Sequence, residues 1–159
     1  MPSIPPDLAA FLVEAKRRTY AGLDDDATVA APLLAGSKQL EHREPPYAYR
    51  DIYFGMDFVG QETVSRDDRV IWSMSYGGGV RADITDRSTL LEIYKFLRRA
   101  LLGASVEEPY RGPRLFEQSG MTYRNEVERV LDRFHGIETI ARHDGAPLYE
   151  LRYSGGLLR

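Results

Sequence analysis

The sequence predicts a single α+β domain over residues 1–159, internally duplicated, with two helices and about eight antiparallel strands. Three observations carry that expectation. Apolar residues recur at helical spacing in only two places, near the start and near the middle of the chain. Between and after them run short segments of period-two alternation, separated by turns too short for parallel crossovers. Finally, Phe58–Gly79 (FVGQETVSRDDRVIWSMSYGGG) has a twin in Phe134–Gly156 (FHGIETIARHDGAPLYELRYSGG).

Each element follows in order. Asp7, after Pro5-Pro6, is placed to cap a first helix. Leu8, Phe11, Leu12, Ala15 and Thr19 form its apolar face. Glu14, Lys16, Arg17 and Arg18 read as its solvated side. Ala21–Gly36 reads as a long loop, with Val29–Ala35 free to cover something. Its Asp24-Asp25-Asp26 lacks the ligand spacing and turn glycine of a calcium loop. Lys38–Arg43, Tyr47–Phe54, Asp57–Ser65 and Val70–Tyr76 then alternate as a four-strand meander, which Gly77-Gly78-Gly79 is expected to end. A second helix runs from Asp86 to Leu102, with Leu90, Ile93, Tyr94, Leu97 and Leu101 inward. After the PYRGP connector, Arg114–Gln118, Thr122–Glu128, Val130–Arg142 and Leu148–Tyr153 form a second meander.

The repeats therefore span about 7–80 and 86–159, related by an expected pseudo-two-fold axis. Phe58, Gly60, Glu62, Thr63 and Val64 correspond to Phe134, Gly136, Glu138, Thr139 and Ile140. Tyr49 and Asp51 correspond to Tyr123 and Asn125; Trp72 and Tyr76 correspond to Tyr149 and Tyr153.

Composition excludes several function classes. There is no cysteine, hence no disulfide, thiolate chemistry or cysteine-bound metal. A net charge of -3 at pH 7 gives no electrostatic footprint for nucleic acid or a membrane surface. Neither a signal-peptide pattern nor an apolar run of membrane-spanning length is present, so a cytoplasmic location is expected. His42, His135 and His143 are scattered, no phosphate loop or nucleophile elbow occurs, and no cofactor or metal is called for. Open sheet edges make a homodimer the expected protein partner.

Strand alternation places Glu62 and Glu138 on the apolar side of the sheet, where a charge needs a partner. Either each is a structural acceptor for tyrosine hydroxyls, the Trp72 indole or Arg111, or they line a cleft between the repeats. The cleft reading names Asp51, Glu62, Trp72, Tyr49, Tyr53, Tyr76, Glu138, Tyr149 and Arg111 as contacts for a small cationic or hydroxylated organic molecule. An enzyme would use Asp51 and Glu62 as acid and base, and a protein-interaction or dimerisation module without a ligand would rely instead on an exposed apolar patch or an open sheet edge.

FLVEAKRRTYAG, YAYRDIYFG, FVGQE, VIWSMSYGG, YRGP, FHGIE and YELRYSGG, in this order along nearly the whole chain, resemble a bacterial family known only as domain of unknown function 5680. The resemblance implies a stand-alone relative of domains elsewhere fused to helix-turn-helix regulators, and hence a sensory or effector role. It supplies no catalytic residues. Here APLLA precedes Gly36 where the family pattern is more polar, and Ser154 stands where histidine is frequent.

Overall fold

A computed structural model describes residues 3–22, 27–56 and 58–159. Among them are helix α1 (Leu8–Arg18), strands β1 (Lys38–Glu44), β2 (Tyr47–Phe54), β3 (Val59–Arg66) and β4 (Arg69–Val80), helix α2 (Arg87–Leu101), and strands β5 (Leu115–Gln118), β6 (Met121–Val130), β7 (Arg133–Arg142) and β8 (Pro147–Leu157). All eight strands join one antiparallel sheet in the order β1-β2-β3-β4-β8-β7-β6-β5. The two meanders thus meet along β4 and β8, at the sheet's centre.

The central seam corrects the sequence expectation. Gly77-Gly78-Gly79 does not end β4, which runs on to Val80 with the glycines paired to Arg152, Leu151 and Glu150 of β8. Nor do these glycines and Gly155-Gly156 follow edge strands. Glycine is needed because the backbones approach closely: a Cβ on Gly155 would run into the Ser73 carbonyl, and one on Gly78 into that of Glu150. The β3–β4 turn, Asp67-Asp68, has two positive φ angles (50° and 63°), the geometry that matches a two-residue hairpin to strand twist.

One sheet face is apolar and the other open, as the alternation requires. Tyr47, Tyr49 and Tyr53 of β2, Val64 of β3, Trp72, Met74 and Tyr76 of β4, and their counterparts Tyr123, Phe134, Ile140, Tyr149, Leu151 and Tyr153 are all buried. Helix α1 lies on β1 and β2, and α2 packs on β6. Asp86 caps α2, its carboxylate accepting the Thr89 amide at 2.9 Å. Asp7 makes no such cap on α1; its carboxylate accepts the Tyr47 hydroxyl at 2.6 Å, fixing the helix start to β2.

The loop after α1 is more committed than its composition suggests. Thr28 bridges Leu40, and the Val29 amide donates to the Gln39 carbonyl, so this stretch pairs with β1. Leu33 and Leu34 are exposed, and Leu34 borders a shallow hollow with Ile52, Phe54 and Val59. The Asp24-Asp25-Asp26 run lies outside the described residues. Among those described, no helix is long and apolar enough to cross a membrane.

The seam makes a direct prediction. Gly155→Ala destabilises the domain by about 3 kcal/mol, since the new methyl overpacks against backbone that cannot move aside. Gly77→Ala, whose Cβ meets only the Val59 side chain at 4.0 Å, stays near wild type. Urea unfolding of the two variants, read as a change in midpoint, checks the contrast.

Candidate functional site

Beneath the helices, the inward faces of β2, β3, β4, β6, β7 and β8 bring together three carboxyl groups and two cations. Asp51 and Glu62 are directly opposite each other on β2 and β3, and Asn125 and Glu138 stand in the same relation on β6 and β7. Asp51, Glu62, Glu138, Lys16, Arg111 and Asn125 are all buried.

The repeated Phe-x-Gly-x-Glu pattern has a steric reason. Gly60 faces Tyr76 across the strand pair, and Gly136 faces Tyr153. A Cβ on Gly60 would strike the Tyr76 hydroxyl, and one on Gly136 the Tyr153 ring. Each tyrosine therefore crosses its glycine and donates to the residue beyond: Tyr76 to Asp51 Oδ1 at 2.6 Å, and Tyr153 to Asn125 Oδ1 at 2.7 Å.

Glu138 is saturated. Its Oε1 accepts from Arg111 Nη2 at 2.7 Å and from the Tyr149 hydroxyl at 2.6 Å, and its Oε2 accepts from the Tyr123 hydroxyl at 2.8 Å. The connector is fastened to this half as well. The Gly112 amide donates to the Tyr123 oxygen at 3.0 Å, and the Asn125 amide donates to the Gly112 carbonyl at 3.1 Å. Arg111 Nη1 also reaches towards Glu62 Oε1, at 3.8 Å, so one guanidinium links the acids of both meanders. The sequence offered Arg111 as a partner for the two glutamates, and it faces both, with Glu138 the nearer.

Lys16 is the member that sequence reasoning missed. It does not lie on a solvated face; its ammonium is buried and paired with Glu62. The signal was in the spacing, because Lys16 falls four residues after Leu12 and eight after Leu8, inside the apolar stripe. Its ammonium also sits 5.9 Å from the centre of the Tyr49 ring and 6.0 Å from that of Trp72. An aromatic and acidic seat for a cation therefore exists, and the chain's own lysine fills it. Trp72 itself is core: it stacks on Phe134 at 5.8 Å, and its indole N–H makes no bond to Glu62. Tyr53 packs edge-on against Phe58 and Tyr20 and makes no hydrogen bond to the acids among the described residues.

A small cavity opens beside this cluster, between the ends of both helices and the sheet. Lys16, Thr19, Tyr20, Ala21, Tyr49, Asp51, Glu62, Leu101 and Arg111 line it. It leaves about 20 Å³ for the centre of a water-sized group, enough for one such group. Two polar atoms of the lining residues, the Tyr20 hydroxyl and Arg111 Nε, are buried without a protein partner among the described residues.

Burial and charge together decide the protonation of Asp51. With every group ionised, three carboxylates face two cations and one negative charge is uncompensated. Burial, and then the Glu62 charge opposite, push Asp51 up to about 7; the Tyr76 hydrogen bond and the Lys16 and Arg111 charges oppose the rise. Burial likewise pulls Lys16 below the usual lysine value, against the pull of Glu62. For Arg111 burial opposes the charge, but Glu138 and Tyr149 hold its pKa well above the ordinary value.

The histidines do not converge. His42 packs on Phe11, and His135 lies by Glu128 on the opposite side of β7 from Glu138. Among the described residues no group of three His, Asp or Glu side chains is arranged to hold a metal.

Fold and site together define an α+β domain with one antiparallel sheet closed over a buried ionic cluster. The family model described as Domain of unknown function (DUF5680) matches residues 51–158, and the chain belongs to that family. The matched stretch starts at Asp51 and holds four of the five charged members, leaving Lys16 outside it. No curated protein and no solved structure matches the chain.

Two predictions follow from the cluster's electrostatics. Lys16→Met strands Glu62 as a buried, underpaired charge and costs about 3–5 kcal/mol, while the Lys16→Met/Glu62→Gln double variant recovers most of that loss. Chemical denaturation of the three proteins measures both effects. The second concerns pH. Asp51 holds a proton in the folded state that it has lost in the unfolded state between the ordinary value of 3.8 and about 7. Its contribution to stability therefore falls as pH rises through that window and is flat above it. Asn125 shows that an amide accepts the same tyrosine bond, so Asp51→Asn removes this dependence. The variant gains on the order of 4 kcal/mol over wild type on going from pH 4 to pH 8, measured as the difference between their unfolding free energies at each pH.

Proposed function

We propose that this is a small-molecule-binding, sensor-like domain whose site is the cavity beside Lys16, Asp51, Glu62 and Arg111. One observation carries the reading. The cavity's lining combines Tyr20 and Arg111, whose hydroxyl and Nε are buried without a partner among the described residues, with Asp51, whose one hydrogen bond among those residues is made through Oδ1. Such walls suit an occupant that both donates and accepts. The available volume takes a single small polar head. Because Lys16 already supplies the cation to the aromatic and acidic seat, a hydroxyl head suits the walls better than an ammonium.

An acid–base enzyme is the second reading, supported by the placing of Asp51 near neutrality beside Glu62. Glu62 is engaged by Lys16 and faces Arg111, which leaves it poorly placed to move a proton, so binding is the reading the geometry favours.

A thermal-shift screen of neutral polyols, amides and small amines tests the proposal. A true ligand at a hundred times its Kd stabilises the fold by about 2.7 kcal/mol. The shift is expected from hydroxyl-bearing compounds and is lost in Tyr20→Phe, which removes only an unpartnered oxygen. A broad library without a stabiliser, or stabilisers indifferent to Tyr20→Phe, would sink it.

A further inference from the structure

A second site lies at the far end of the sheet, apart from the buried cluster. The β3–β4 hairpin, the end of β8 and the segment before α1 enclose a trough of about 700 Å³, within the range of small-molecule pockets. Ile71, Leu157 and Leu158 give it an apolar floor, and Arg66, Arg69 and Arg159 stand along it; no acidic side chain among the described residues lines it.

The arginines are placed against their own interest. Arg66 and Arg69 are direct cross-strand partners flanking the two-residue turn, an arrangement that destabilises a sheet when the charges are alike. The nearby carboxylates relieve little of this. Asp67 reaches Arg66 only at 3.8 Å, and Asp7, which feels the Arg66 charge, is bonded to Tyr47. Arg69 and Arg159 form no ion pair among the described residues. Arg66 is steadied by the Tyr47 ring, 5.8 Å from its guanidinium. The chain as a whole is acidic, so general solubility does not call for three guanidinium groups in one trough.

We propose that this trough binds a small amphipathic anion: a carboxylate head, held by the Arg66–Arg69 pair, on a short apolar body laid along Ile71 and Leu157. Two opposed guanidiniums offer paired N–H donors that match a carboxylate's two oxygens, and the anion removes the repulsion between them. The apolar floor rewards a tail and gives nothing to a bare ion.

An amide NMR titration of the full chain with octanoate, below its aggregation concentration, tests this. Saturable shifts centred on Ile71, Leu157 and Leu158 are expected. Octanol and acetate, each half of the ligand, bind at least about tenfold more weakly. Arg69→Ala weakens octanoate by about tenfold or more, whereas Arg87→Ala, on the exposed start of α2, changes nothing. Unsaturating or scattered shifts, or an Arg69→Ala protein that binds as well as wild type, would overturn the proposal. So would binding confined to vesicles of anionic phospholipid, which would make the trough a membrane contact. Because Tyr20 and Asp51 take no part, a failure here leaves the cavity reading intact, and the reverse holds too.

Discussion

The structure depends on keeping buried carboxylates paired. Two glutamates on the covered face of a sheet would be prohibitive alone, and each has its own cation: Lys16 from α1 for Glu62, Arg111 from the connector after α2 for Glu138. These pairs fix what apolar packing leaves loose. A greasy helix face tolerates sliding on a sheet, but an ammonium that must meet one carboxylate does not. Arg111 adds a second constraint, because it faces the acids of both meanders and ties them from above while β4 and β8 tie them through the backbone.

How much of this was legible in the chain depended on whether the relevant geometry was local. Period-two alternation is a property of the strand itself, so Asp51, Glu62, Asn125 and Glu138 were assignable to the covered face before any contact was known. The hairpins followed from the same alternation, since the segments between strands are too short for parallel crossovers. Lys16 was lost because its charge outweighed its position in the stripe; the unpaired Glu62 was the hint that a nearby buried position had to carry a cation. The role of the triple glycine was lost for another reason. What it does depends on β8, some seventy residues further on, and nothing in the run itself distinguishes a backbone seam from a terminus. The edge pairing of residues 27–29 was hidden likewise, because a two-residue bridge has no period.

The cavity could not be read from sequence at all. It arises where the ends of α1 and α2 fail to close over the sheet, a matter of helix length and crossing rather than residue type. Strand alternation put Tyr49, Trp72, Asp51 and Glu62 within reach of one another, but it said nothing of the Lys16 ammonium that sits among them. The box they form holds Lys16, and the space left beside it is narrow, with Tyr20, Asp51 and Arg111 among its walls.

The contrast between Asp51 and Asn125 bears on why that space exists beside one meander. Both residues accept a tyrosine hydroxyl through one oxygen, in the same register, across from a glutamate. Asn125 does so without ionising and uses its amide to hold the connector, leaving nothing unsatisfied. Asp51 does the same job at the cost of a titratable group held up near neutrality, and borders the cavity. An asparagine would serve the fold equally there. A local choice that weakens the fold and gains it nothing in packing is expected where a site makes its own demand. In the proposed binding reading, that demand is for a group able to accept or donate as its proton comes and goes, and of the two matched positions only Asp51 meets it.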